Sequence, residues 1–582
     1  MATDFDAVVI GSGFGGSVIA CRLAEAGLRV CLLERGRRYP PGSFPRSPRE
    51  LARSFWAPGR GLYGLYDVWS FPGLKTVVSS GLGGGSLIYA NVLLRKDEKW
   101  FVKEEPRQDG YEYWPVTRQE LDGHYDRVEQ MLGAQRYPLD QDPYRHTPKT
   151  LALRRAAERL GLDWQLPPLA VTFANQGRPA VPGEPIDEPK PNLHGASRST
   201  CRLVGECDIG CNFGSKNSLD YTYLSAAWRA GADIRDCCEV HSLEPADAGF
   251  SLSYLRHGPA GDADCGHDAP PRLTLTADRV ILSAGALGTP RLLLRNRSAF
   301  PHLSRTLGTR FCGNGDFLSL VLKARPEPSG SGGSDPDSLD PSLGPVITTA
   351  IRLPDRADGG GAGPGTGRGF YIEDAGYPEF VRWLADDNPL ADARRLLRFA
   401  TGRLRGLTSK DTDSEAGWQL ARLLGGGGLS DSSLVLLGMG RDVPNGRMRL
   451  QGGQLRVDWP SRASRPYFHR VNATMRRLAH AMGGRYAGDP LYWVNQLVTV
   501  HPLGGAPMGR TVQEGVVDPV GQVFSYPGLY VADGSVMPGP VGTNPSLTIA
   551  ALADRTADKI IDQWAAARTR GTARSRRKAN EE

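Results

Sequence analysis

The stretch Ala7-Val8-Val9-Ile10-Gly11-Ser12-Gly13-Phe14-Gly15-Gly16 decides how this chain is read. Its four apolar residues predict a buried strand. The glycines after them predict a tight turn into a helix over residues 15–26, with Gly27 as its stop. Within the turn, Gly11 permits the bend, Gly13 lets the backbone approach a pyrophosphate, and Gly16 lets helix and strand pack closely. The helix N-terminus then faces the anion. Glu34 closes a second predicted strand, residues 29–34, eighteen residues after Gly16, where a carboxylate can bind an adenosine ribose. A Gly-x-Gly-x-x-Gly string arises by chance in a glycine-rich chain. Strand, helix and acid in register make it a dinucleotide site, without separating FAD from NAD.

Two further stretches carry the same strand–helix alternation. In residues 226–295 a predicted strand, 279–283, runs into Ala284-Gly285-Ala286, and Thr289-Pro290 predicts an N-cap and first turn for a helix over 291–295. In residues 517–567 a strand over 529–532 meets Asp533-Gly534, and Asn544-Pro545 precedes a predicted helix over 546–567. Short strands joined by helices imply parallel pairing. The middle of the chain differs. Segments around 346–353 and 492–500 alternate like strands, and Pro444-Asn445-Gly446 predicts a hairpin turn between 434–437 and 448–450, with a further turn at Gly452-Gly453. Residues 326–345 and 357–369, dense in Gly, Ser, Asp and Pro, read as surface insertions. The fold expected is an α/β dinucleotide-binding domain interrupted by an antiparallel-sheet domain.

Composition bounds the rest. The 582 residues are 40% hydrophobic and 23% charged, ordinary for a protein with a sizeable core. Gly 72 and Pro 44 are high, and the motifs account for part of them. No apolar run approaches the roughly 20 residues of a membrane-spanning helix. Strand-like sequence from residue 5 leaves no room for a leader, so a cytoplasmic setting is expected. Nine cysteines, with the awkward neighbours Cys237 and Cys238, fit a reduced compartment. Cys201, Cys207 and Cys211 lack the tight pairs and fourth ligand that zinc or iron–sulfur sites favour, so no metal is expected.

Other segments hold candidate functional groups. Gly81-Leu82-Gly83-Gly84-Gly85-Ser86-Leu87 can lay consecutive N–H groups against a ligand, and reads equally as a flexible loop. His501 ends an apolar strand and is held by Pro502-Leu503-Gly504-Gly505, a good position for a polar group in a ligand cavity. Asn544, ahead of Pro545, can serve a site or simply cap the helix that follows.

Taken in order, Gly11–Gly16, Gly81–Leu87, Ser283–Pro290, His501–Gly505 and Gly542-Thr543-Asn544-Pro545 resemble the motifs of GMC (glucose–methanol–choline) flavoprotein oxidoreductases over residues 5–565. The pairing of His501 with Asn544 resembles the bacterial cholesterol-oxidase branch, since other branches tend to place a second histidine at Asn544. The resemblance implies an α/β FAD-binding, Rossmann-like domain built from residues 1–45, 75–100, 200–300 and 502–582. It implies a substrate-binding domain with insertions from 46–74, 101–199 and 301–501. It implies FAD held by Gly11, Gly13, Phe14, Gly15, Gly16, Glu34, Gly83, Gly84, Gly85, Ser86, Val240, Ala284, Gly285, Asp533, Gly534, Asn544 and Pro545. His501 is then the group that binds or deprotonates the substrate hydroxyl, and Asn544 stabilises the reduced flavin. Glu373, in Phe370-Tyr371-Ile372-Glu373-Asp374, becomes the buried base or proton shuttle, with Asp374 and Glu379 as competitors.

The activity implied is oxidation of a secondary alcohol on a bulky, apolar, sterol-like molecule to the ketone. O2 is reduced to H2O2, and double-bond isomerisation is an accompanying option. The alternative is an alcohol dehydrogenase acting on a non-sterol metabolite with another acceptor. Two departures stand out. Tyr89 takes the place of a polar Asn, and no histidine occurs between residues 75 and 100, where flavinylated relatives attach their cofactor, so non-covalent FAD is expected. The net charge of +7 points to no nucleic-acid partner. Residues 568–582 hold six basic and two acidic side chains and leave +3 for the rest. This tail reads as a disordered end or a peripheral contact to anionic lipid.

Overall fold

The computed structural model describes residues 3–105, 110–258, 271–324, 339–355, 367–378, 433–488 and 496–581. The apolar runs that predicted buried strands form one parallel sheet of five. Its order is Asp233–Arg235, Val30–Leu33, Ala7–Ile10, Val280–Leu282 and Leu529–Val531. The central strands are buried along their whole length, as expected of a sheet covered on both faces. The helix Phe14–Glu25 leaves the first strand through the glycine turn and packs on the helix Ser546–Glu581. Small residues Ala550, Ala553 and Ala557 let the two approach, and Arg22 Nη2 reaches Asp558 at 2.6 Å across them.

The second body is an antiparallel sheet of six, in the order Asp163–Gln165, Ala350–Leu353, Phe370–Ala375, Leu434–Gly440, Phe317–Leu322 and Arg485–Gly488. The helix Arg465–Ala481 covers one face with Tyr467, Phe468, Val471, Met475 and Leu478. The other face carries Tyr371 and Met439, packed with Trp100, Tyr137 and Val346. Among the described residues, no helix is long and apolar enough to cross a membrane.

Three local expectations are corrected. The helix expected over 291–295 spans Gly285–Arg295, with Pro290 inside it. Thr289 does not cap it; its hydroxyl accepts from Ala284 N at 3.0 Å and donates to Asp533. Pro444-Asn445-Gly446 joins two different sheets instead of closing a hairpin: Leu434–Gly440 pairs inside the six-stranded sheet, whereas Arg447–Gln451 pairs with Gln454–Asp458. Gly446 and Phe311 exchange backbone hydrogen bonds of 3.0 and 3.1 Å, which draws the segment away. The expected turn at Gly452-Gly453 does close that second hairpin. The terminal helix, expected to stop at residue 567, continues to Glu581; the Ala- and Arg-rich sequence beyond the apolar face favours helix. Of the expected surface insertions, 326–338 and 357–366 lie outside the described residues, as does the competitor Glu379; the described remainders, 339–345 and 367–369, are not at the surface, since Leu339, Pro341, Gly344 and Arg368 are buried.

Candidate active site

The glycine turn is packed from three sides and open on the fourth. A Cβ on Gly15 would stand 1.5 Å from the Ala532 carbonyl oxygen, and one on Gly16 2.0 Å from that of Gly11. A Cβ on Gly13 would meet nothing within 4 Å. The open side, at the N-terminus of the helix Phe14–Glu25, has the space and the N–H dipoles a pyrophosphate needs. The second glycine loop closes against it: Gly84 would place a Cβ 2.6 Å from Gly13 Cα, whereas Gly85 faces open space.

Glu34 holds this corner together. Its Oε2 accepts from Ser12 N at 3.0 Å and Ser12 Oγ at 2.7 Å, while Oε1 accepts from Gly36 N at 2.9 Å. Ser12 Oγ in turn accepts from Gly83 N at 3.0 Å, which ties the two glycine loops. Ser86 Oγ donates to Gly83 O at 2.7 Å and accepts from Leu219 N at 3.0 Å. Asp533 takes Ser535 N at 2.8 Å on one oxygen and Gly285 N at 2.9 Å on the other, joining the ends of two neighbouring strands. Burial raises its carboxyl above the ordinary range. Gly534 lies against Leu503, and Val240 sits at a register break opposite Tyr254.

Tyr89 meets the Phe14 ring edge-on at 5.3 Å, and its buried hydroxyl has no hydrogen-bond partner among the described residues. Beneath it, Lys216 Nζ donates to the carbonyls of Leu87, Tyr89 and Cys207 at 3.1, 2.7 and 2.8 Å, with burial lowering its pKa to about 8. Asn91, two residues after Tyr89, has φ of 70°, no solvent exposure and, among the described residues, no partner for either amide atom. Orphaned polar atoms of this kind next to an open glycine cradle fit a large polar cofactor.

Two of the catalytic candidates meet at the six-stranded sheet, Glu373 on a strand and Asn544 on the loop before the last helix. Glu373 is fully buried in Phe370–Ala375, and Asn544 Nδ2 donates to its Oε2 at 3.3 Å. Desolvation raises the Glu373 pKa to about 8, opposed by the Asn544 hydrogen bond and reinforced by the nearby charges of Asp374 and Asp316. Among the described residues, Asn544 Oδ1 and Glu373 Oε1 have no hydrogen-bond partner. Asn544 therefore caps no helix through its oxygen and spends its amide on Glu373. The Asn544 turn is clamped from behind. Asn314 accepts from Gly542 N at 2.8 Å and donates to Thr543 O at 2.9 Å, while the buried Lys96 donates to Pro540 O and Val541 O at 2.9 and 3.0 Å.

His501 is bonded differently. Its Nδ1 lies 2.8 Å from Asp316 Oδ1, and its Nε2 makes no hydrogen bond among the described residues. The sequence reading missed Asp316, Asn314 and Lys96. Cys312-Gly313-Asn314-Gly315-Asp316 carries no motif, and Asp316 reaches His501 only because Cys312 and Leu503 bridge their backbones at 3.0 and 3.1 Å.

A dinucleotide cradle in the same chain as a buried carboxyl paired with an amide, and an imidazole paired with a buried aspartate, is the equipment of a cofactor-dependent redox enzyme. A family model for the NAD(P)-binding Rossmann-like domain matches residues 9–44, and two models described as GMC oxidoreductase match residues 192–313 and 483–553. The chain is 31% identical to a cholesterol oxidase of Mycobacterium tuberculosis over 96% of its own length and 91% of the relative's. It is 28% identical to a cholesterol oxidase of Acinetobacter baumannii, over 96% and 94%. A solved structure of a fungal aryl-alcohol oxidase superposes with a TM-score of 0.53 at 17% identity, over 97% of this chain and all of that one, a likeness of fold. The chain belongs to the GMC oxidoreductase family, and it is an FAD-dependent alcohol oxidoreductase.

Proposed function

We propose that this chain oxidises a secondary alcohol on a bulky apolar, sterol-like molecule to the ketone, with O2 as the acceptor. The observation that carries the reading is the Glu373–Asn544 pair: a carboxyl whose pKa burial raises to about 8, in contact with an amide. The reading is supported by two cholesterol oxidases to which the chain is similar along almost its whole length.

Bound FAD supplies the hydride acceptor for the carbinol carbon. Everything else falls to the chain's side chains. His501 Nε2 accepts the hydroxyl proton. Asn544, which gives one amide N–H to Glu373, offers the second to charge that develops on the cofactor, and Glu373 is placed to carry a proton to and from the substrate ring, the step that isomerisation requires. We assign the cofactor to residues 1–45, 75–100, 200–300 and 502–582. Gly11, Gly13, Phe14, Gly15 and Gly16 take the pyrophosphate, Glu34 the ribose, and Gly83, Gly84, Gly85, Ser86, Val240, Ala284, Gly285, Asp533, Gly534, Asn544 and Pro545 the remainder. Substrate is assigned to 46–74, 101–199 and 301–501.

The test is anaerobic bleaching of the visible flavin band against a panel of hydroxysterols and smaller secondary alcohols. Bleaching by sterols, followed by peroxide on admitting air, is the expected result. Bleaching only by small alcohols, or reoxidation by dyes but not by O2, overturns it in favour of a dehydrogenase for a non-sterol metabolite.

A further inference from the structure

We infer that Asp316 is a positioning residue that fixes His501 in the Nδ1–H tautomer, so that Nε2 faces the site as a bare acceptor. The inference rests on the reading of His501 given above and adds the residue on which that reading depends.

Asp316 Oδ2 accepts two backbone N–H groups, Val500 at 2.9 Å and His501 at 3.1 Å, and lies 2.8 Å from the Thr499 hydroxyl. Backbone N–H groups can only donate, so the atom at this place must be an acceptor. The other oxygen, Oδ1, lies 2.8 Å from His501 Nδ1. A carboxylate oxygen only accepts, so Nδ1 carries the proton. In the neutral imidazole the remaining nitrogen, Nε2, is then a lone-pair acceptor. Asp316 is 5% exposed, and the backbone bridge between Cys312 and Leu503 holds its segment in place, so this geometry is set before any substrate arrives.

The same accounting predicts an inverted tautomer on replacing one atom. In Asp316→Asn the amide oxygen must stay on Val500 N and His501 N, because the NH2 group cannot accept from them. The NH2 group then faces Nδ1, which has to become the acceptor, and the proton moves to Nε2. His501 would present a donor to the substrate hydroxyl, and proton removal would fail.

The experiment compares wild-type and Asp316→Asn holoenzymes labelled with 15N-histidine, by long-range proton–nitrogen spectra at a pH where the ring is neutral, with His501→Gln giving the assignment. Wild type should show Nδ1 protonated, and the variant should show Nε2 protonated with flavin content retained. With an alcohol that bleaches wild type, kcat should fall by roughly 10²–10⁴-fold while KM stays within about threefold. Nε2–H in wild type, an unchanged tautomer in the variant, or loss confined to KM overturns the inference. Should the variant not fold, the wild-type spectrum alone decides. Expected tautomers with no alcohol bleaching the flavin would refute the proposed function and leave the positioning role standing.

Discussion

Glu373 and Asp374 are consecutive on one strand and live in opposite surroundings. Asp374 points to the face covered by the helix Pro148–Arg159, where Lys149 Nζ meets its Oδ2 at 2.5 Å and Thr348 N and Thr349 N fill the other oxygen at 2.9 and 2.6 Å. Glu373 points to the inner face and has one hydrogen bond, from Asn544. The period of a strand thus separates two adjacent acids into a structural ion pair and a neutral, half-satisfied carboxyl. That difference is the ground on which we propose Glu373 rather than Asp374 for the catalytic role.

That asymmetry predicts a pH signature. The Glu373 carboxyl is raised from 4.5 to about 8 in the folded chain, so its protonation stabilises the fold fully below pH 4.5. This contribution is lost as pH climbs to about 8, at up to ~1.4 kcal/mol per pH unit, and changes no further above. Glu373→Gln should lack this slope. Urea unfolding of both proteins between pH 5 and 9 should show the variant gaining on wild type as pH rises; parallel curves would refute it.

The Lys149–Asp374 pair, with both side chains fully buried, predicts a large loss on removing one partner. Asp374→Asn or Lys149→Met should each destabilise by about 3–5 kcal/mol, because a buried charge is left uncompensated. The double replacement should recover part of that loss. Chemical denaturation of the three variants measures it.

Two glycines six atoms apart in the chain predict opposite failures. Gly13→Ala adds a methyl to open space at a φ of −68°, so the protein should fold with stability changed by no more than about 0.5 kcal/mol and bind FAD at least tenfold more weakly. Gly15→Ala drives a methyl into the Ala532 carbonyl and should prevent folding or abolish soluble expression. Circular dichroism and flavin titration separate the two outcomes.

The cofactor should leave with the solvent when the protein is precipitated by acid, because no histidine occurs from residue 75 to 100. A colourless pellet and a yellow supernatant are expected; a yellow pellet would establish a covalent bond.

What was legible in the sequence is what glycine and strand period write into it. The cradle could be read because Gly11, Gly15 and Gly16 are places where no other side chain fits, a constraint that leaves its mark in order and spacing. The Glu373 reading came through resemblance, and its neutrality became visible only with the burial. Asp316 was invisible because its meaning lies in a contact 185 residues away in the chain. Pro444-Asn445-Gly446 was misread since a turn between two apolar runs looks the same whether the runs pair together or leave for different sheets. Thr289-Pro290 was misread because the hydroxyl that resembles a cap is spent on Asp533, more than two hundred residues on.

The wall against which Gly15 packs is Ala532, and the partner of the first helix is the last one. On a ribosome, the first strand and its turn emerge more than five hundred residues before the segment that completes them. The nucleotide pocket is therefore finished last although it is begun first. A chain cut just before that closing strand would carry the Gly11–Gly16 fingerprint and still have no finished place to keep its cofactor.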